Sequence, residues 1–283
     1  MRIEKIEDKC NQCLLCVRDC VAGVWRIVEG KSQPVDIESC NRCSHCIAVC
    51  PCDAILHDGL KKDQLVRVNR NNLNPEVFRD IIISRRSIRQ FKDTPVPRDV
   101  LEKILDLARY SPTASNDQNV SYTIITDKKL IEEAAKSIWG LVSRLYDKTR
   151  KGIGKIIVNV TGLNNHRYLR VMDYCQKQTV ENGRDFILHN APVLILIHAP
   201  RRARFAADNC NIAVTTIINY AHALELGTCL TGLMNMSLWY SSSLRRKFGI
   251  PKDKKIYASL VMGYPSYRFT NTVSRKKPEV QWL

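Results

Sequence analysis

The stretch Cys10-Asn11-Gln12-Cys13-Leu14-Leu15-Cys16-Val17-Arg18-Asp19-Cys20 returns 30 residues later as Cys40-Asn41-Arg42-Cys43-Ser44-His45-Cys46-Ile47-Ala48-Val49-Cys50, with Pro51 next. Both runs have the spacing C-x2-C-x2-C-x3-C, so the segment is a duplicated unit. Of the 12 cysteines in the chain, nine fall between Cys10 and Cys52, and only Cys175, Cys210 and Cys229 lie beyond. A secreted disulfide scaffold needs an export signal, and the opening residues place Glu4, Glu7 and Asp8 where such a signal carries an apolar core. The expected compartment is cytoplasmic, and clustered cysteines in a reducing compartment favour metal ligation. Zinc sites use two C-x2-C pairs or mixed cysteine–histidine sets, which two identical four-cysteine runs fit poorly.

The spacing resembles that of bacterial two-cluster ferredoxins. Three thiolates on one tight turn reach three irons of a cubane, and the fourth iron needs a ligand from elsewhere. In those ferredoxins the fourth cysteine of each run serves the other cluster. The resemblance therefore implies one 4Fe-4S cluster on Cys10, Cys13, Cys16 and Cys50, and a second on Cys40, Cys43, Cys46 and Cys20. The crossing would tie both halves into a unit too small to rest on an apolar core alone. The first run departs from the pattern by having Val21 where a proline is expected, which removes no ligand. Cys52 lies outside the pattern and reads as a small buried thiol. His45 reads as a turn residue. Residues 24–28 and 34–37, flanking Glu29-Gly30-Lys31, read as a short hairpin.

The chain has 283 residues, 45% hydrophobic and 25% charged, which suits about two globular domains. No apolar run reaches the ~18 residues that a membrane helix needs, and the longest, residues 192–199, is strand-sized. The net charge of +16 is uneven. Residues 1–60 hold 7 Lys+Arg against 9 Asp+Glu, whereas residues 61–283 hold 37 against 19. The positive residues are dispersed in short groups such as Arg201-Arg202 and Arg245-Arg246-Lys247, so a nucleic-acid partner is not expected. Phosphorylated cofactors and an acidic electron carrier account for the charge more simply.

We expect three parts: a two-cluster domain over residues 1–60, a polar linker over 61–75, and a second domain over 76–283. Asn74-Pro75-Glu76 supplies an N-cap, a first-turn proline and an early acid. The helix it opens carries Val77, Phe78, Ile81 and Ile82 on one face, and a second helix after Pro97 carries Val100, Leu101, Ile104, Leu105 and Ala108. Both stripes read as core. Strands are expected over 120–126, 192–198, 228–233 and 256–263, with helices near 127–149 and 208–226. Residues 151–177 have weak periodicity and read as a mobile or interface insertion. Helices and strands mix without a G-x-G-x-x-G fingerprint, an α+β pattern.

Four pieces across residues 76–283 then resemble the FMN-dependent nitroreductase family, in its order. They are Ser84-Arg85-Arg86-Ser87-Ile88-Arg89-Gln90-Phe91, Tyr110-Ser111-Pro112-Thr113-Ala114-Ser115-Asn116-Asp117-Gln118, Glu225-Leu226-Gly227-Thr228-Cys229-Leu230-Thr231-Gly232, and Met262-Gly263-Tyr264-Pro265 with Arg275-Lys276-Lys277-Pro278 behind it. The resemblance implies a nitroreductase-like α+β domain and a homodimer. Arg85, Arg86, Arg89, Arg275 and Lys276 would supply charge-assisted hydrogen bonds to the FMN phosphate, with Ser87 as a neutral donor. Pro112, Thr113, Ala114 and Asn116 would lie against the flavin held mainly by the other subunit. Thr231 and Gly232 would bring backbone amides toward the flavin N5. Cys229 reads as a buried strand residue rather than a flavin neighbour. No obligatory side-chain nucleophile is implied, so none is assigned.

The function implied is an FMN oxidoreductase charged through its own iron–sulfur module, reducing an electron-poor small molecule of the nitroaromatic, quinone or enone type. A ferredoxin-like carrier or NAD(P)H would be the donor. Two other readings stand beside it: an electron-transfer adaptor relaying electrons to a protein partner, and a specialised branch such as dehalogenation or flavin fragmentation.

Overall fold

The computed structural model describes residues 1–61, 64–150 and 166–283. The chain divides into two compact units, one of Met1–Asn74 with Thr113–Asp117, the other of Pro75–Pro112 with Gln118–Leu283. Among the described residues no helix is long and apolar enough to cross a membrane.

In the first unit, β1 (Ile3–Lys5) pairs antiparallel with β4 (Ile55–His57). A hairpin of β2 (Trp25–Val28) and β3 (Lys31–Pro34) turns on Glu29 and Gly30, whose φ angles are 49° and 76°. Two consecutive positive φ angles make the tight two-residue turn that twists with its strands. That turn fixes Val28 opposite Lys31, so the second arm starts at Lys31 rather than at the expected Pro34, and Ile37–Ser39 is a 3-10 turn.

The duplication extends to the backbone. Gln12 and Arg42, and Leu14 and Ser44, are paired positions of the two runs, and all four have left-handed φ between 56° and 66°. This winding leads into α1 (Leu15–Asp19) and α2 (His45–Ala48) and points amides at sulfur: Gln12 N–H to Cys10 Sγ and Arg42 N–H to Cys40 Sγ, both 3.4 Å. The buried apolar cluster here is only Ile3, Val24, Trp25 and Ile55, with five cysteines packed against it. So small a core needs a staple.

The second unit is built on an antiparallel sheet ordered β5 (Ser121–Ile125), β6 (Val193–Pro200), β8 (Lys254–Gly263), β7 (Gly227–Leu230). Along β6, Leu194 and Leu196 pack into one apolar cluster and Val193, Ile195 and Ile197 into another. Both faces are therefore covered, which is why this strand reads as a continuous apolar run. Each of these fully buried side chains contributes about 1.5–3 kcal/mol.

On one face lies α5 (Lys128–Arg150), with Ile131, Ala134, Ala135 and Ile138 buried. On the other lies α7 (Ala206–Ala223), which buries Cys210, Val214, Ile217 and Ala221, beside α4 (Arg98–Ala108). The remaining helices are α3 (Pro75–Ser84), α6 (His166–Asn182), α8 (Gly232–Tyr240) and α9 (Ser242–Lys247).

Three expectations need correction. The apolar stripe of α3 is not core: no residue of that helix is buried, and Phe78 is 63% exposed. The strand expected over 228–233 ends at Leu230, and Gly232 opens α8. The insertion expected over 151–177 is helical from His166 onward, and residues 151–165 lie outside the described residues.

The sheet also holds a titrating group. His198 is 4% exposed at a β-bulge, with Nε2 3.0 Å from Thr123 Oγ1 and Nδ1 without a hydrogen bond. Burial first, then Lys254 and Arg245, push its pKa down to about 4. The folded state thus binds fewer protons than the unfolded chain between the unfolded value near 6.5 and about 4. Its contribution is whole above 6.5 and is lost as pH falls toward 4, by at most about 3 kcal/mol. Urea midpoints of the protein are expected to fall from pH 7 to pH 5, and to fall less in His198→Gln. Equal slopes in the two proteins would refute this.

Candidate cofactor sites

The two cysteine runs do not each close on themselves. One small cavity of the first unit is lined by Cys10, Cys13, Cys16 and Cys50, the other by Cys40, Cys43, Cys46 and Cys20. The fourth cysteine of each run, carried to the far end of α1 or α2, reaches across to the cavity of the other run. Cys52 is half-buried rather than buried and lines the first cavity. His45 opens α2, its Nδ1 3.0 Å from Asp19 Oδ2. Among the described residues no three His, Cys, Asp or Glu side chains are gathered to hold a single metal ion. The thiols ring spaces instead of converging on a point.

The surroundings of these spaces suit an anionic, sulfur-rich group. Lys5 lines the first cavity with its side chain 4% exposed, and its buried Nζ is paired with Glu7 Oε1 at 3.0 Å without the geometry of a hydrogen bond. Trp25 lines both cavities, and its buried Nε1 has no hydrogen bond of good geometry, although it stands near enough to lower the pKa of Cys46. Burial outweighs that effect and pushes the Cys46 thiol up to about 11. Burial also raises Cys16, partly offset by a hydrogen bond from Ser32. On the second cavity, His57 Nε2 lies 3.4 Å from Cys40 Sγ. Donors left over around a ring of thiols are what cluster sulfides would accept from, and the sites fit a 4Fe-4S group.

In the second unit the segment after α3 runs beside the sheet. Ser87 bridges Thr228 in parallel, Ile88 N–H donates to Thr228 O at 2.9 Å, and Lys92 N–H donates to Tyr264 O at 2.8 Å. This seats Ser87 and Arg89 beside the Cys229 thiol, with Arg85 near enough to act on it electrostatically, and the thiol donates to Leu230 O at 3.6 Å. Burial raises the pKa of Cys229, and the three groups oppose that rise. Arg85 is lowered by burial, then by Arg86 and Arg275. Like charges gathered on one half-buried guanidinium fit a dianion such as the FMN phosphate. Cys229 is a buried residue of β7, as expected, but nothing in the sequence signalled that Arg85, Ser87 and Arg89 gather about it.

Other expected residues stand differently. Arg86 turns back onto its own helix end, donating from Nη2 to Ile83 O at 2.9 Å. It lines a cavity of about 300 Å3 with Lys92, His222, Glu225 and Tyr264. Thr231 N–H is committed to Ser259 O at 2.9 Å, and its Oγ1 donates to Ser259 Oγ at 3.0 Å. Of the expected amide pair this leaves Gly232, in the first turn of α8, where amides lack intrahelical acceptors. Pro112 belongs to the second unit, whereas Thr113, Ala114 and Asn116 cluster with the first. There Ser115 and Asn116 are both left-handed, and Asn116 Nδ2 donates to Asn41 O at 3.0 Å. Lys276 is exposed.

Comparison with known proteins follows this division. The model of the 4Fe-4S dicluster domain matches residues 2–51, and that of the nitroreductase family matches residues 82–264. The chloronitrobenzene nitroreductase of Comamonas testosteroni is 24% identical over 219 residues, covering 71% of this chain and 93% of that protein. The FMN-bound nitroreductase structure from Bacteroides fragilis superposes with a TM-score of 0.55 at 17% identity, covering 75% of this chain and all of that one. The FMN-dependent nitroreductase NfnB of Mycobacterium smegmatis, solved with NADPH, gives a TM-score of 0.50 at 16% identity, over 68% of this chain and 88% of that one. The segment of residues 84–91 and the sheet lie within the residues matched by the one family model, the paired cysteine runs within those matched by the other, and the chain belongs to the nitroreductase family as an oxidoreductase with a 4Fe-4S dicluster domain.

Proposed function

We propose that this chain is an FMN oxidoreductase charged through two 4Fe-4S clusters of its own, acting on an electron-poor small molecule of the nitroaromatic, quinone or enone type. The observation that carries the reading is the presence, in one chain, of two four-thiol cavities and of a half-buried Arg85 with Arg86 and Arg275 beside it. Bound FMN would supply the conversion between single electrons and a hydride equivalent. Cys10, Cys13, Cys16 and Cys50 would hold one cluster and Cys40, Cys43, Cys46 and Cys20 the other. Arg85, Ser87, Arg89 and Arg275 would hold the phosphate, with Arg86 and Lys276 adding charge from outside the seat. Gly232 would offer its amide to the flavin edge, with Thr231 holding that turn in place.

Supporting homodimerisation are the exposed apolar stripe of α3 and the chain beyond Ser266, which is exposed throughout. In such a dimer Pro112, Thr113, Ala114 and Asn116 would face the flavin of the other subunit. We assign residues 1–60 to the cluster domain, 61–75 to a linker and 76–283 to the flavin domain, in a reducing, cytoplasmic setting. The fused clusters favour a ferredoxin-like one-electron donor over NAD(P)H.

Protein purified without air, with iron and FMN counted per chain, tests this. Reduced ferredoxin is expected to bleach the iron–sulfur absorption and then the flavin, and a nitroaromatic to restore both. Rapid flavin reduction by NAD(P)H with clusters that stay oxidised would overturn the proposed route.

A further inference from the structure

The two thiol cavities are alike in ligands but not in charge. Around the second, the lining residues beyond the cysteines are Asn41, Ser44, His45 and His57 among apolar neighbours. Around the first, a lysine intrudes. Lys5 ends β1, opposite Ile55, and its side chain lines this cavity only 4% exposed. A lysine is almost never this buried unless something anionic holds it. Glu7 Oε1 is 3.0 Å away, yet that carboxylate side is 61% exposed and the ammonium makes no hydrogen bond. The solvated Glu7 is screened, so it offsets only part of the ammonium's field inside the cavity.

From this geometry we infer that Lys5 sets the two clusters apart in potential, making the one held by Cys10, Cys13, Cys16 and Cys50 the easier to reduce. The inference rests on the proposed binding of clusters in these cavities. A 4Fe-4S group gains one negative charge when it takes up one electron from its donor. A fixed ammonium beside it stabilises that reduced form more than the oxidised one, and so raises its potential. Net charge, hydrogen bonds to sulfur and exposure are the protein's means of tuning such a group. Ser32, 1% exposed, lines the same cavity and adds a hydroxyl donor on the same side. Electrons entering the module would therefore rest first on that cluster. Lys5 is a positioning residue for charge and touches no substrate.

The experiment is an anaerobic redox titration of the full holoprotein followed by electron paramagnetic resonance, comparing wild type with Lys5→Met, Lys5→Arg and Glu7→Gln. In wild type, two one-electron waves are expected. In Lys5→Met the upper wave should fall by about tenfold in the reduced-to-oxidised ratio at a fixed potential, which is 59 mV for a one-electron couple, with the lower wave unmoved. Lys5→Arg should restore the wild-type position, and Glu7→Gln should move the upper wave slightly upward. Iron and sulfide counts, with the signal intensity of each cluster, show that the variants are loaded. If Lys5→Met loses its clusters, the Lys5→Arg and Glu7→Gln titrations decide. An upper wave that stays put in loaded Lys5→Met or in Glu7→Gln, or two waves that shift together, would overturn the assignment to Lys5. A wild-type protein with no iron–sulfur signal would instead overturn the underlying reading of the cavities.

Discussion

Cys50→Ala is expected to remove the cluster of the first cysteine run and leave that of the second, taking iron from roughly eight to roughly four atoms per chain. The reason is spatial. Cys50 belongs by sequence to the second run but lines the same cavity as Cys10, Cys13 and Cys16. Residues that serve one unit act together, so their losses do not add. Cys13→Ala with Cys50→Ala should therefore lose no more iron than either change alone. Cys43→Ala with Cys50→Ala should lose nearly all of it. Ligation of each cluster by its own run predicts the reverse pair of results. Serine keeps an oxygen ligand where alanine leaves none, so Cys50→Ser and Cys13→Ser provide the milder comparison should the alanine proteins unfold. They should perturb one and the same paramagnetic signal, and signals from different clusters would exclude the crossing. A large effect on stability should accompany the loss, because the buried apolar cluster of this unit has just four residues among those described.

The sequence was most legible where spacing carries geometry. The repeat's resemblance to two-cluster ferredoxins implied the crossed sets, and the fourth cysteine indeed stands past the end of a one-turn helix, α1 or α2. It was least legible where a property depends on the partner across a strand. Ile3-Glu4-Lys5 is too short and too polar to declare itself a strand, and a lysine within it reads as solvent-facing. In the fold its side chain instead lines the first cavity, 4% exposed.

Adjacent residues of a single motif pose the same difficulty. Arg85 and Arg86 are chemically identical in sequence, and the end of α3 sends one toward Arg275 and the other back to Ile83. Periodicity showed that α3 has an apolar face, but a stripe does not say what covers it, and here nothing in the described chain does. The strand expected through residue 233 stops early because Thr231 spends its amide on Ser259 and then caps the helix that follows. Residues 232–240 are apolar with little periodicity, so neither pattern could be told from the other.

Gly227→Ala is expected to unseat the arginine segment, and with it the flavin. Gly227 opens β7 without a positive φ, so its backbone would accept any residue. The obstacle is space. A Cβ there would lie 2.5 Å from Ile88 Cγ1, 2.7 Å from Ile88 Cβ and 2.9 Å from Ile88 Cγ2. Ile88 cannot simply swing away, since it is buried and its N–H is bound to Thr228 O. Relief must come from shifting the strand of residues 87–89, which carries Ser87 and Arg89 away from Cys229 and turns Arg85 with them. Overpacking of this kind costs about 1–3 kcal/mol, and each 1.4 kcal/mol lost from binding is about tenfold in affinity. FMN binding by titration calorimetry or fluorescence quenching should weaken by at least about tenfold, along with a lower urea midpoint. Ile88→Ala removes two of the three clashing atoms at the expense of a cavity. In Gly227→Ala with Ile88→Ala the two losses should therefore fall short of their sum, in stability and in FMN affinity alike. Strictly additive losses, or undiminished FMN binding in Gly227→Ala, would show that this glycine does not set the position of the arginines.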